Sequence, residues 1–300
     1  MAENQTVFRF RKDRVMKIQW YPGHMTKAVR AMQEDIRIID LIVELVDARA
    51  PLATRNPDID KIGQGKGRIV ILNKCDMAED AANKKWKEYF ISQGMECICM
   101  DSRKKADIRE LSAAIDRASA AKRERDKKRG ILNRPVRAMV CGIPNVGKST
   151  LINTLAGKSA AKTGNKPGVT KGNQWIRLNK QIELLDTPGI LWPKFEDEHV
   201  GEMIAFIGSV NDLIVNQSEL AECMADYLMK IKPDVIAEAY GFEGGKPHEL
   251  IERIAQVRGC LKAGGEYDIA KAEQILINDF RSGRLGRISL EVPADTTGAK

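Results

Sequence analysis

The stretch Val140-Cys141-Gly142-Ile143-Pro144-Asn145-Val146-Gly147-Lys148-Ser149-Thr150 decides how the rest of the chain reads. From Gly142 to Ser149 it has the pattern G-x-x-x-x-G-K-S. Glycines at both ends let backbone N–H groups close around phosphate oxygens, the lysine can reach the β- and γ-phosphates, and the following hydroxyl can ligate Mg²⁺. Asn145, Val146, Gly147, Lys148, Ser149 and Thr150 are therefore the candidate phosphate-binding residues, and Ser149 the first candidate Mg²⁺ ligand. The flanks suit this reading: Val136–Val140 is strand-like, and Leu151–Leu155 continues as a helix. A loop of this kind usually opens its domain, yet here it lies almost halfway along the chain.

Working outward, 300 residues with 43% apolar and 30% charged composition allow one large or two ordinary domains with a real core. No run approaches the ~18–20 apolar residues of a membrane span, and Met1–Gln5 lacks the apolar stretch of a secretory signal. A membrane partner is thus not expected. The six cysteines (Cys75, Cys97, Cys99, Cys141, Cys223, Cys260) contain no C-x-x-C pair, which points to a reduced, cytoplasmic chain without a zinc site. The net charge of +8 is unevenly spread. Arg117–Arg137 holds nine basic residues against Glu124 and Asp126, Met1–Arg30 holds seven against Glu3 and Asp13, and Arg281, Arg284 and Arg287 lie near the other end. Such clusters are usually solvated faces; three of them beside a nucleotide site point to a polyanionic partner.

Upstream of the loop, Tyr21-Pro22-Gly23-His24-Met25 turns into a helix through Ala28, Met32 and Ile36. Ile39–Val46 is a near-continuous apolar run, as in a strand buried on both faces of a parallel sheet, and it ends in the polar loop Asp47–Leu52. A second such strand, Arg68–Leu72, delivers Asn73-Lys74-Cys75-Asp76 at its carboxyl end, where α/β sheets bind ligands. N-K-x-D reads guanine. The Asp76 carboxylate can accept from N1–H and N2–H₂, donors that adenine lacks, and hydrogen bonds of that sort can discriminate by ~10⁴–10⁵. Asn73 would brace the loop, and the Lys74 stem would pack on the base. Met95–Met100 reads as a third strand leading to Asp101-Ser102-Arg103, with Ser102 the candidate second base contact. Asp80–Gln93 reads as a helix with Trp86, Tyr89 and Phe90 turned to the core, and the basic segment after Ile108 as a partly helical connection.

Downstream, Thr163–Gly172 is rich in Gly, Pro and Lys; Thr170 is the candidate second Mg²⁺ ligand. Trp175–Leu178 and Ile182–Leu185 form a hairpin turning at Asn179-Lys180. The second strand ends in Asp186-Thr187-Pro188-Gly189. D-x-x-G at a strand end sets Asp186 near Mg²⁺ and the Gly189 N–H at the γ-phosphate. From Gly201 onward helical periodicity takes over, with Ser218 and Glu222 as one N-terminal signal. The expected domains are 1–200 for nucleotide binding, 201–290 helical, and 291–300 a tail.

A guanine-nucleotide domain normally runs P-loop, mobile Thr loop, D-x-x-G, N-K-x-D, then the second base loop. Here N-K-x-D and Ser102 come first, so the domain is circularly permuted. D-x-x-G then leads directly into the helical region, which couples the γ-phosphate sensor to it. The fold class follows: an α/β, Ras-like P-loop domain with a doubly wound, mostly parallel sheet, circularly permuted, followed by an all-α domain.

The order N-K-C-D, D-S-R, G-I-P-N-V-G-K-S, P-G-V-T, D-T-P-G, with the leading Tyr21–Met25 and Asp47-Ala48-Arg49, resembles the circularly permuted GTPases, and most closely the ribosome biogenesis GTPase A (YlqF/RbgA) group. The likeness spans about residues 18–290, and Arg281–Arg287 is similar to the group's terminal signature. It implies a monomeric GTP hydrolase, cycling between GTP and GDP with Mg²⁺. Its partner would be the large ribosomal subunit in late maturation, together with that subunit's rRNA, with hydrolysis stimulated by the particle. Many switch GTPases place a glutamine after D-x-x-G to orient water; this chain has Ile190-Leu191-Trp192. The resemblance points instead to His24 as the catalytic residue, and to Asn145 as a ligand for K⁺ standing in for an arginine finger. Other readings of the residues are a nucleotide-sensing RNA-binding module with negligible turnover, a P-loop kinase or ATPase, and a GTPase of tRNA modification or membrane traffic. Asn73–Asp76 counts against the second of these, and the absence of a lipid anchor or dimerisation insert against the third.

Overall fold

In the computed structural model, residues 24–131, 134–156, 174–192 and 198–293 are described. The first part of the chain forms α1 (His24–Asp35), β1 (Leu41–Asp47), α2 (Pro57–Ile62), β2 (Gly67–Asn73), α3 (Asp80–Ser92), β3 (Glu96–Met100), α4 (Ile108–Lys128), β4 (Val136–Cys141), α5 (Lys148–Ala156), β5 (Gln174–Asn179) and β6 (Ile182–Asp186). The six strands make one sheet in the order β3-β2-β1-β4-β6-β5. All neighbours run parallel except the β5–β6 hairpin at one edge.

Every residue of β1 is buried, Glu44 and Asp47 included, as its near-continuous apolar run leads one to expect of a central strand covered on both faces. On one face Trp86 and Phe90 of α3 pack with Val46, Val70, Leu72 and Cys97, and Tyr89 and Cys99 join them. On the other, Met32 of α1 packs with Ile42, Met139, Leu185 and Ile190. Cys97 and Cys99 thus share one strand face, as their i, i+2 spacing dictates.

The connectivity places the site. From β1 the chain builds outward through β2 to β3, and α4 then carries it back to β4 on the far side of β1. The crossover is a 21-residue helix, about 31 Å long at 1.5 Å per residue. It buries Leu111, Ala114, Ile115 and Ser119. The direction of winding reverses between β1 and β4, so the crevice beyond their carboxyl ends is the topological switch point, where open α/β sheets take ligands.

Much of the basic charge around this crossover is spent within the chain. Arg117 pairs with Glu96, Lys122 with Asp40 and Asp126, Arg123 with Asp116, Arg134 with Asp40, and Arg137 with Glu183. Lys127, Lys128 and Arg129, at the end of α4, are exposed.

Two compact units are distinguished, one within residues 21–194 rejoined by the chain from Glu291, the other within 195–290. The division falls a few residues before the boundary at 200 drawn from composition, and Glu291 belongs to the first unit rather than opening a separate tail. The second unit contains α6 (Glu198–Phe206), α7 (Gln217–Ile231), α8 (Pro233–Tyr240), α9 (Pro247–Val257) and α10 (Ile269–Arg281). Helix α7 starts before Ser218: the Asn216 side chain caps it by accepting from the Ser218 and Glu219 N–H groups. Asparagine and serine are comparably good N-caps, so residue type alone did not place the start. The terminal arginines are also committed here. Arg281 donates to the Ala205 and Phe206 carbonyls at the end of α6 and pairs with Asp212, while Arg284 pairs with Asp279. Among the described residues no helix is long and apolar enough to cross a membrane.

Candidate nucleotide-binding site

The loop between β4 and α5 is shaped by its glycines. At Gly142 φ is +147°, and a Cβ there would lie 2.4 Å from the Leu45 carbonyl oxygen of β1. At Gly147 φ is +102°, and a Cβ would lie 2.2 Å from Asn73 Nδ2. Neither position admits a side chain. Asn145 also has positive φ, +60°, which asparagine tolerates better than most residues. Lys148 opens α5, is buried, and donates through Nζ to the Gly142 and Ile143 carbonyls at 2.9 and 2.7 Å. Burial pushes its ammonium down to about 8, and the nearby Asp186 carboxylate opposes that shift.

Asp186-Thr187-Pro188-Gly189 arrives from β6, the neighbour of β4. The Thr187 hydroxyl donates to the Val140 carbonyl at 2.8 Å. A Cβ on Gly189 would lie 2.9 Å from Pro144 Cα and 3.0 Å from Lys148 Nζ, so this glycine sits against the phosphate loop and its lysine. Asp186 is 1% exposed, and neither carboxylate oxygen has a hydrogen-bond partner among the described residues. Burial pushes this carboxyl up to about 6, partly offset by Lys148. A buried carboxylate with both oxygens unspent, beside a helix that begins Lys148-Ser149, is a hard-oxygen donor set of the kind Mg²⁺ takes. Asp186 and Ser149 thus fit Mg²⁺, which would neutralise phosphate charge there.

The base-reading half comes from β2 and β3. Asn73 is 2% exposed and joins three segments. Its Nδ2 donates to the Val146 carbonyl at 2.6 Å, and its Oδ1 accepts from the Ser102 N–H at 3.0 Å and the Ser102 hydroxyl at 2.7 Å. Thr154 of α5 donates to the Ser102 carbonyl at 2.7 Å and to the Thr150 carbonyl at 3.0 Å. Lys74 has φ +58°; its Nζ donates to Asp47 Oδ2 at 2.9 Å and to the Asn145 carbonyl at 3.0 Å. Asp76 accepts from Arg103 through Oδ2 at 2.7 Å, while Oδ1 is buried without a partner among the described residues. That free acceptor matches what a guanine N–H would require.

The structure therefore brings Asn73, Lys74, Ser102, Asn145 and Val146 into one hydrogen-bonded assembly, with Gly147 packed against Asn73 and with Gly189 and Asp186 beside Lys148. Asp76 flanks the assembly through Arg103. His24 is the first residue of α1, with its side chain outside the described residues, and Thr170 lies outside them altogether. Sequence reasoning gave no role to Asp47, Arg49 or the Arg103 side chain. Arg49 grips Asp47 through Nε and Nη2 at 2.9 Å each, and Arg103 grips Asp101 through Nε and Nη2 at 2.8 and 2.9 Å. A charged residue at the carboxyl end of a fully buried strand is the one signal that marked Asp47. After Gly189 come Ile190, Leu191 and Trp192, all buried, and the Ile190 carbonyl accepts from Asn56 Nδ2 at 3.0 Å.

A family model described as 50S ribosome-binding GTPase matches residues 137–239. The match begins in β4 and includes the phosphate loop and D-x-x-G; the N-K-x-D loop lies upstream of it, as a permuted order requires. Ribosome biogenesis GTPase A of Bacillus cereus is 44% identical over 282 residues, 93% of this chain and 95% of the relative. The protein of that name from Thermotoga maritima is 33% identical over 280 residues, 93% of this chain and 96% of the relative. Among solved structures, a GDP-bound YlqF gives a TM-score of 0.64 at 30% identity, over 88% of this chain and 99% of the other. GNP-bound YlqF from T. maritima gives 0.63 at 30% identity, over 90% and 99%. With its permuted sheet, its phosphate loop and these full-length relatives, the chain belongs to the ribosome biogenesis GTPase A family, P-loop GTP hydrolases of ribosome biogenesis.

Proposed function

We propose that this GTPase binds the precursor of the large ribosomal subunit, through rRNA, and assists a late step of its assembly in the cytoplasm. GTP sets the affinity for the particle and hydrolysis releases the protein, which acts as a monomer. The observation that carries this reading is the buried aliphatic pair Ile190-Leu191 directly after D-x-x-G, where a glutamine is usual. Neither Ile190 nor Leu191 can orient an attacking water, so intrinsic turnover is slow and a polar group must be brought in when the particle is bound. His24 fills that role as the catalytic residue. Asn145 ligates K⁺, whose charge acts on the transition state as an arginine finger would, a contribution on the order of 10³–10⁵ in rate.

In this scheme Asp76 reads the guanine edge, Asn73 and Lys74 hold the loop that presents it, and Ser102 supplies the second base contact. Val146, Gly147, Lys148, Ser149, Thr150 and Gly189 cradle the phosphates, and Ser149, Thr170 and Asp186 hold Mg²⁺. Nucleotide binding falls to the first unit, which the chain rejoins at Glu291, and RNA contact to the helical unit within residues 195–290. The family model's description as ribosome-binding on the 50S particle supports the choice of subunit. Lys127, Lys128 and Arg129, with the exposed Arg125, are the cations of the crossover offered to phosphate, while Arg117, Lys122, Arg123 and Arg137 are committed to carboxylates.

Co-sedimentation with small and large subunits, with GDP or a non-hydrolysable GTP analogue and across a salt series, tests the proposal. The expected result is large-subunit binding that strengthens with the triphosphate and weakens steeply with salt. Binding that ignores the nucleotide defeats the switch.

A further inference from the structure

We infer that Glu291 is a positioning residue for guanine-nucleotide binding, acting through Arg49, Asp47 and Lys74. The inference rests on the assignment of Asn73–Asp76 as the base-reading loop. Glu291 is where the chain rejoins the first unit. All of its polar groups are engaged there. Its carboxylate accepts from the Leu52 N–H at 2.8 Å and the Ala53 N–H at 3.0 Å. Its own N–H donates to the Arg49 carbonyl at 3.3 Å, and its carbonyl accepts from the Trp86 indole at 3.0 Å. Hydrogen bonds from backbone N–H groups to an ionised carboxylate are among the stronger ones available to a loop.

The segment so held is the loop leaving the carboxyl end of β1. Thr54 closes it from within, accepting from the Asp47 N–H at 3.0 Å and donating to the Ala50 carbonyl at 2.7 Å. Arg49 is 1% exposed and projects back along the loop to clasp both oxygens of Asp47, which is itself fully buried. Asp47 Oδ2 also takes the Lys74 ammonium, and that ammonium reaches the Asn145 carbonyl of the phosphate loop. A continuous line of hydrogen bonds thus runs from residue 291 to the nucleotide cradle. Lys74 depends on it twice. Its left-handed backbone conformation is unfavourable for a lysine and persists only where neighbours hold it. Burial works against its positive charge, which Asp47 compensates. With Asp47 held by way of Arg49, the Lys74 ammonium is fixed between Asp47 and the Asn145 carbonyl, which orients its stem. By linkage, if a docked Glu291 raises nucleotide affinity, bound nucleotide strengthens the docking of Glu291 by the same factor.

The test uses the full chain with GDP as the probe, and compares the wild type with Glu291→Ala, Glu291→Gln and Asp76→Asn. Glu291→Ala is expected to weaken GDP binding roughly 5- to 30-fold. Glu291→Gln, which keeps an acceptor for the Leu52 and Ala53 N–H groups, should recover most of that loss. In the wild type, GDP should slow amide exchange at Leu52 and Ala53, a readout that does not depend on any variant folding. If Glu291→Ala lowers only the melting temperature, leaving GDP affinity within twofold and exchange at Leu52 and Ala53 indifferent to GDP, Glu291 is a structural latch and the inference is overturned. If Asp76→Asn binds GDP as the wild type does, the base-reading assignment itself fails, and the inference falls with it.

Discussion

Replacing Asn73 by alanine removes three buried hydrogen bonds at once, and the structure says how the loss should couple to the phosphate loop. The Val146 carbonyl and the Ser102 N–H lose their side-chain partner in a region that is 2–3% exposed at Asn73 and Ser102. A buried polar group left unsatisfied costs about 1–3 kcal/mol, so these two backbone groups together cost about 4 kcal/mol. For a unit of this size that lowers the melting temperature by about 8–16 °C. Gly147→Ala is disruptive for two reasons: its φ of +102°, and a Cβ that would meet Asn73 Nδ2 at 2.2 Å. In the Asn73→Ala background the second reason vanishes. The double variant should therefore be more stable than the sum of the single losses implies, by about 0.5–3 kcal/mol, the range for residues in direct contact. Urea unfolding of the nucleotide-free wild type, both single variants and the double variant measures the cycle. Additivity within about 0.5 kcal/mol would refute the claim that Asn73 and Gly147 are mutually fitted.

Three further outcomes are expected. The folded protein keeps a proton on Asp186 up to about pH 6, whereas its ordinary value is 3.8. Nucleotide-free protein should accordingly lose stability as pH rises from about 4 to 6 and level off above that. Asp186→Asn should flatten this dependence in unfolding curves across pH, and Mg²⁺ affinity of the wild type should rise through the same window. His24→Ala should leave GTP affinity intact and lower particle-stimulated hydrolysis by about 10²–10⁴; full stimulated turnover would remove His24 from the chemistry. Exchanging K⁺ for Na⁺ should slow stimulated hydrolysis, and an unchanged rate would remove Asn145 as a cation ligand.

Most strands were readable because burial on both faces leaves a near-continuous apolar run, as in Leu41–Val46, interrupted by Glu44, and in Ile69–Leu72. Helix α8 was readable because Pro233 opens it and Gly241, at φ +63°, closes it. The start of α7 was not, because Asn216 and Ser218 are both acceptable caps and geometry chose between them. The basic clusters were legible as charge but not as function. Arg281 reads like Arg129 in the sequence, yet one caps α6 and pairs with Asp212 while the other is exposed near the end of α4.

The sequence by itself determined the chemistry of each motif and the permuted order of the motifs. A phosphate loop, a D-x-x-G and an N-K-x-D are each made by a few consecutive residues at a strand end, and their succession along the chain is visible without coordinates. Only the tertiary structure decided what holds them together. Asn73 meets Val146 across 73 positions, and Glu291 meets Leu52 across 239. Such pairings depend on which strand ends the sheet order sets side by side, and no local pattern of residue types encodes them.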